Sequence, residues 1–237
     1  MTDDIPVIIL CGGRGTRLNE RTGSIPKPLV DVGGMPILWH IMKGYAVAGF
    51  HRFVLCLGYM SNAIREYVAH HADARWEVQF SDAGPNAETG ERIHLAMEYV
   101  DAPVFFATYG DNVSNVSPAA ILASHKQNGC AATVTCIRAR TTFGVVDLAP
   151  DGLVSTYHEK PYLDLHVNGG FYCFNREVTE YIQENEVFEQ EPIQRLVSRR
   201  QMGSYIHDGF WACMDTLKDN QALNALWDSG IAPWKTW

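Results

Sequence analysis

Val7-Ile-Ile-Leu-Cys-Gly-Gly-Arg-Gly-Thr-Arg-Leu18 runs from an apolar, β-branched segment straight into a glycine-rich turn. A short buried strand that ends in such a turn is the opening of an α/β fold, in which ligands gather at the carboxyl ends of parallel strands. Gly12, Gly13 and Gly15 free the backbone to approach an anion closely, and successive N–H groups can form a concave donor nest. Arg14 and Arg17 add positive charge that a neutral turn would not need. The spacing fits neither G-x-x-x-x-G-K-[ST] nor G-x-G-x-x-G, so two common phosphate loops are excluded. A few residues on, Pro26-Lys27-Pro28 holds a lysine between two residues of fixed φ, stiff enough to aim its ammonium at the same phosphates. An ordinary turn with a solvated lysine would explain either element alone; the two together point to phosphate.

Outward from this loop, Phe53–Leu57, Val104–Thr108 and Thr133–Ile137 have the length and composition of buried strands. Between them, Ile37, Leu38, Ile41, Met42 and Tyr45 recur at helical spacing after Pro36, which predicts a buried helix over 37–48. Ser117-Pro118 reads as an N-cap followed by a favoured first helical residue. Beyond residue 140 the segments Gly144–Leu148, Leu153–His158 and Gly169–Phe174 suggest antiparallel additions, and Thr216–Trp237 opens as a helix and ends in a Gly/Pro-containing tail. The expectation is a mixed, three-layer α/β fold forming one domain over residues 1–237, since no linker, repeat or low-complexity tract divides it.

The 237 residues are 46% hydrophobic and 19% charged, an ordinary globular balance. A net charge of −8 argues against a nucleic-acid platform. Met1-Thr-Asp-Asp has no cationic leader and Val7–Cys11 is too short to span a bilayer, so the expectation is a cytoplasmic protein without membrane partners. The six cysteines contain no C-x-x-C pair and read as buried free thiols.

The Gly-Gly-x-Gly-Thr-Arg-Leu loop followed by Pro-Lys-Pro resembles the signature of the sugar-phosphate nucleotidyltransferases. The resemblance continues through Pro36-Ile-Leu-Trp-His-Ile-Met42, Thr108-Tyr-Gly-Asp111, Glu159-Lys-Pro161, Asn168-Gly-Gly-Phe171, Glu189-Gln-Glu-Pro192, Gly209-Phe-Trp211, Met214-Asp-Thr216 and Ala232-Pro-Trp-Lys-Thr-Trp237. The last segments are most similar to the glucose-1-phosphate cytidylyltransferase branch. It implies a three-layer, Rossmann-like mixed sheet of the nucleotide-diphospho-sugar transferase type. It also implies Mg²⁺-dependent transfer of a cytidylyl group from CTP to a sugar 1-phosphate, with glucose 1-phosphate as the expected acceptor and pyrophosphate as the second product.

By the same resemblance Leu10, Gly12, Gly13, Gly15, Thr16, Arg17, Lys27, Thr89 and Gly90 meet the nucleotide, with Arg17 and Lys27 catalytic. Gly144, Glu159, Lys160, Asn168 and Gly169 meet the sugar phosphate, and Asp111 and Asp215 hold Mg²⁺. Read without the resemblance, Asp111 is a turn aspartate and Asp215 a helix N-cap. UTP or dTTP as donor, a different phosphate or phosphonate as acceptor, and a non-catalytic nucleotide-sugar-binding domain stay open. So does a homo-oligomer. Between the strand at 76–80 and Thr89 the chain is shorter than the resemblance implies.

Overall fold

A computed structural model of the chain describes residues 4–15 and 25–237. In chain order these form β1 (Val7–Leu10), the small pair β2 (Asp31–Val32) and β3 (Met35–Pro36), and helix α1 (Ile37–Val47). There follow β4 (Arg52–Leu57), α2 (Ser61–His71), β5 (Glu77–Asp82), α3 (Thr89–Ala96), β6 (Val104–Tyr109), β7 (Asn112–Ser114), α4 (Pro118–Asn128) and β8 (Ala132–Arg140). The last part comprises β9 (Val145–Leu148), β10 (Val154–His158), β11 (Tyr162–Asn175), α5 (Glu191–Ser198), β12 (Met202–His207), β13 (Trp211–Cys213) and α6 (Leu217–Asp228).

Among the described residues seven strands form the central sheet, in the order β12-β8-β11-β6-β1-β4-β5. β1 pairs in parallel with β4 and β6, β4 with β5, and β8 with β12; β11 runs antiparallel to both β6 and β8. The four predicted apolar runs are β1, β4, β6 and β8, all inside this sheet. They read as continuous apolar stretches because helices cover both faces. Val7, Ile9, Phe53, Leu55 and Phe106 pack on one side with α1, whereas Ile8, Val54, Phe105 and Ala107 pack on the other with Ile93 of α3 and Leu196 of α5. Strand alternation thus separates two cores, and the three layers follow.

The predicted helix over 37–48 is α1, and Ser117 caps α4 by accepting from the Ala120 N–H at 3.3 Å. Two of the three late segments, β9 and β10, pair only with each other among the described residues, as an antiparallel hairpin. Gly169–Phe174 instead belongs to the longer β11, which inserts into the central sheet. The register sets Leu10 beside Tyr109 on one flank and Cys56 on the other. The glycine-rich turn after β1 and Gly110-Asp111 after β6 therefore leave the sheet as neighbours.

Candidate active site

The turn after β1 is shaped by what presses on it. Gly15 has φ +57°, and a Cβ there would lie 2.9 Å from the Cβ of Lys27, so backbone conformation and close packing both call for glycine. Gly13 faces open space. Gly12 lies under the guanidinium of Arg92, a buried residue of α3 that donates to the Leu57 carbonyl at 2.5 Å, the Gly84 carbonyl at 3.0 Å and the Gly12 carbonyl at 3.4 Å. Arg14 donates to Asn86 Oδ1 at 3.1 Å. Thr16 and Arg17 lie outside the described residues.

Lys27 stands in a short 3-10 turn, Lys27–Leu29, entered through Pro26. Its ammonium donates to Asp111 Oδ2 at 2.5 Å and to Asp215 Oδ1 at 2.6 Å. Burial acts to lower its pKa, but the charge and hydrogen bond of Asp111, followed by the hydrogen bond of Asp215, outweigh that and hold it above the usual lysine range.

Two distant segments bring these carboxylates together. Gly110 donates its N–H to the Leu10 carbonyl at 3.0 Å, setting Asp111 against the glycine-rich turn. Next, β7 pairs antiparallel with β13, Cys213 opposite Asn112, and the Met214 N–H donates to the Asp111 carbonyl at 2.9 Å. Asp215 follows at once. It is not the cap of α6: Thr216 is, in a reciprocal capping box with Asp219, and Asp219 Oδ2 also accepts from the Asp215 N–H at 3.1 Å. The Asp215 carboxylate is thereby left to face Lys27.

Asp111, Cys213 and Asp215 present ligand atoms that all lie within 4.8 Å of one another. Burial pushes the Cys213 thiol up to about 12, so it stays protonated and is a poor partner for a hard cation. The two carboxylates are hard oxygen donors, and already converge on one positive charge. This donor set fits Mg²⁺, which commonly takes one or two protein carboxylates and leaves its other positions to phosphate and water.

Around the group a cleft of about 220 Å³ is lined by Leu10, Gly13, Gly15, Lys27, Asp111 and Asp215. A second chamber of about 450 Å³ shares Leu10, Gly13 and Asp111 with it and extends past Gly12, Arg14 and Thr89. The Thr89 hydroxyl donates to Glu189 Oε2 at 2.6 Å and accepts from the Phe188 N–H at 2.8 Å. Gly90 lies behind the wall, its N–H bonded to the Glu186 carbonyl at 3.0 Å, where a Cβ would stand 2.7 Å from the same oxygen. The chain of polar contacts continues from Glu189 to the Tyr109 hydroxyl, from Tyr109 to Tyr172 at 3.2 Å, and from the Asn168 amide to Tyr172 at 2.5 Å.

The residues expected on the sugar side form a separate rim. Gly144 packs against the Tyr157 ring, the Tyr157 hydroxyl donates to Glu159 at 2.6 Å, and Lys160 pairs with Glu159 at 2.9 Å. Lys160 has φ +46°, an unusual conformation for a residue with a side chain. Among the described residues no hydrogen bond or ion pair joins Lys160 to Lys27 or either aspartate. Asn168-Gly169 lies not in a turn but at an irregularity within β11, and Trp211 of β13 donates its indole N–H to the Gly169 carbonyl there at 2.7 Å.

A family model described as Nucleotidyl transferase matches residues 6–225. The chain is 40% identical to the glucose-1-phosphate cytidylyltransferase of Salmonella typhimurium, over 97% of this chain and 98% of that one. It is 36% identical to a probable glucose-1-phosphate cytidylyltransferase of Bacillus subtilis, over 97% and 99%. Among solved structures, HddC from Yersinia pseudotuberculosis superposes with a TM-score of 0.75 over 94% of this chain and 99% of that one, at 22% identity.

Proposed function

The chain belongs to the nucleotidyl transferase family, and from that premise we propose that it transfers the cytidylyl group of CTP to glucose 1-phosphate, giving CDP-glucose and pyrophosphate. The observation that carries this reading is the convergence of Lys27, Asp111 and Asp215 on a cleft walled by the glycine-rich turn. The relatives named glucose-1-phosphate cytidylyltransferase align along nearly the whole chain, which supports CTP and glucose 1-phosphate as the substrates.

No protein nucleophile is required. A phosphate oxygen of the acceptor attacks the α-phosphorus of CTP, the new P–O bond forms in line with the bond that breaks, and pyrophosphate leaves with that electron pair. The protein's task is to hold two repelling anions in reactive alignment and to offset their charge. Asp111 and Asp215 would hold Mg²⁺, which when bound supplies charge neutralisation and polarisation at the phosphate oxygens. The N–H groups of the turn and Lys27 supply donors to the triphosphate, with Arg17 assigned the same task by the resemblance. The chamber beyond Gly12 takes the base end, and Lys160 with the Asn168-Gly169 segment of β11 takes the acceptor. No helix among the described residues is long and apolar enough to cross a membrane.

The test is pyrophosphate release over a grid of CTP, UTP, dTTP and GTP with glucose 1-phosphate. CTP should have the highest kcat/KM, by roughly tenfold, about 1.4 kcal/mol of discrimination. A comparable advantage for another triphosphate would refute the base assignment, and absence of turnover with all four would refute the acceptor.

A further inference from the structure

Glu189, two residues ahead of α5, is a half-buried carboxylate held by hydroxyls. Its Oε2 accepts from Thr89 at 2.6 Å and its Oε1 accepts from Tyr109, and among the described residues no cation pairs with it.

The sense of the whole chain of contacts follows from that end. A carboxylate only accepts, and a tyrosine hydroxyl has one hydrogen to give. With the Tyr109 hydrogen spent on Glu189, the 3.2 Å contact between the tyrosines has to use the Tyr172 hydrogen. The Tyr172 oxygen is left to accept, and it takes the Asn168 Nδ2–H at 2.5 Å. A separate contact at the far end agrees: the Gly170 N–H donates to Asn168 Oδ1 at 2.9 Å, which turns the amide oxygen to the backbone and the nitrogen to Tyr172. Tyr172 is buried and packs edge-on against Phe188, ring centroids 5.6 Å apart, so its hydroxyl is held in place.

Asn168 itself is exposed, and its second amide hydrogen has no partner among the described residues. That donor stands beside the reacting end of the site. The adjoining Gly169 carbonyl takes the Trp211 indole N–H at 2.7 Å and the Asn112 amide at 3.5 Å. Asn112 directly follows Asp111, and Tyr109 lines the same chamber as Thr89 and Asp111.

We infer that Glu189 is a positioning residue for the acceptor: through Tyr109 and Tyr172 its carboxylate holds the Asn168 amide with one N–H presented to an oxygen of glucose 1-phosphate. This rests on the nucleotidyl transfer proposed above and adds to it the group that orients the acceptor contact.

The experiment is a cycle of E189Q, N168D and the double variant, with Y109F beside it. Denaturant midpoint, kcat, KM for glucose 1-phosphate and for CTP, and calorimetric binding of glucose 1-phosphate are measured for each. The three contacts from Glu189 to Asn168 need three hydrogens, one from each tyrosine and one from the amide. N168D removes the amide hydrogen, leaves an acceptor at both ends and should lower the midpoint. In the double variant the glutamine amide supplies the third hydrogen from the other end, so the chain re-forms with its sense reversed and the midpoint should recover. Acceptor use should not recover, because position 168 has no hydrogen to give: KM for glucose 1-phosphate should rise roughly tenfold in N168D and in the double variant alike, the size of one lost hydrogen bond. E189Q and Y109F, which release the amide, should raise the same KM by roughly threefold or more, with a smaller change in kcat and in KM for CTP. Those two variants carry the test if N168D does not fold. Midpoints that add across the cycle, or a glucose 1-phosphate KM unchanged in E189Q and Y109F, would overturn the inference. If the unmodified protein turns over no glucose 1-phosphate, the transfer reading fails by itself and calorimetry decides. Binding weakened in E189Q and Y109F upholds the positioning role, whereas absent or unaltered binding ends it.

Discussion

Lys27 joins a phosphate loop to a pair of carboxylates, and its surroundings say what each neighbour contributes. With two aspartates and one ammonium the group carries one net negative charge, which a divalent cation accompanying a triphosphate would balance. All three side chains keep partial exposure, so the pairing is screened and its contribution to stability is modest. Replacing Lys27 by Ala leaves the two carboxylates facing each other without their cation. Lys27→Ala should therefore melt lower than the unmodified protein, gain more in Tm from added Mg²⁺ than that protein does, and lose about 10²–10³ in turnover. Melting curves over a Mg²⁺ series check this. An equal Mg²⁺ response in both proteins would show that the carboxylates do not share a cation with Lys27.

At the scale of elements, the site is the product of a parallel β1–β6 edge and an antiparallel β7–β13 pair. The first half was legible in the sequence. Val7–Leu10, the three glycines and Pro26-Lys27-Pro28 are local signals, each with a conformational reason that needs no knowledge of the fold. The second half was legible only through the family resemblance, which pairs Asp111 with Asp215; their meeting depends on the pairing of Cys213 with Asn112, and such a short ladder leaves no periodicity to read. The alternative of Asp215 as a helix cap failed by one residue, since Thr216 and Asp219 form the box. Arg92 escaped entirely: one arginine on a short amphipathic helix looks like a solvated side chain, yet it clamps Gly12, Leu57 and Gly84 through their carbonyls. Lysine cannot reproduce that fork, so Arg92→Lys should leave buried carbonyls unpaired, at a cost of about 1–3 kcal/mol, and loosen the glycine-rich turn. A denaturant midpoint and a KM for CTP both unchanged in Arg92→Lys would contradict this.

For the whole molecule, the tail that carries part of the family resemblance also serves packing. Trp234 is buried against Trp227, Phe210 and His40, and its indole N–H donates to His40 Nδ1 at 3.3 Å while His40 Nε2 donates to the Val32 carbonyl at 2.8 Å. Burial lowers the pKa of His40, and likewise of His125, which is bonded to Thr133 and Asn175. Both depressed values mean that the unfolded chain binds more protons than the fold just below the ordinary histidine value of 6.5. Their contribution to stability is therefore full above that pH and is lost as pH falls through the folded values. Thermal melts from about pH 8 to about pH 5 should be level at first and then decline, with a shallower decline in His125→Asn; a Tm that holds constant throughout would contradict the buried-neutral assignment.

The account as a whole stands on the claim that Asp111 and Asp215 together hold the cation that nucleotidyl transfer needs. The direct measurement is turnover of CTP and glucose 1-phosphate across a Mg²⁺ titration for Asp111→Asn and Asp215→Asn, with folding and CTP binding followed on the same samples. Each variant leaves Lys27 one carboxylate partner, so both should fold and melt near the unmodified protein. Turnover should fall by about 10² or more in each, the loss expected when a central electrostatic element is removed. A folded variant that keeps near-normal turnover at limiting Mg²⁺ would show that its aspartate is not a ligand, and would return that residue to a structural role.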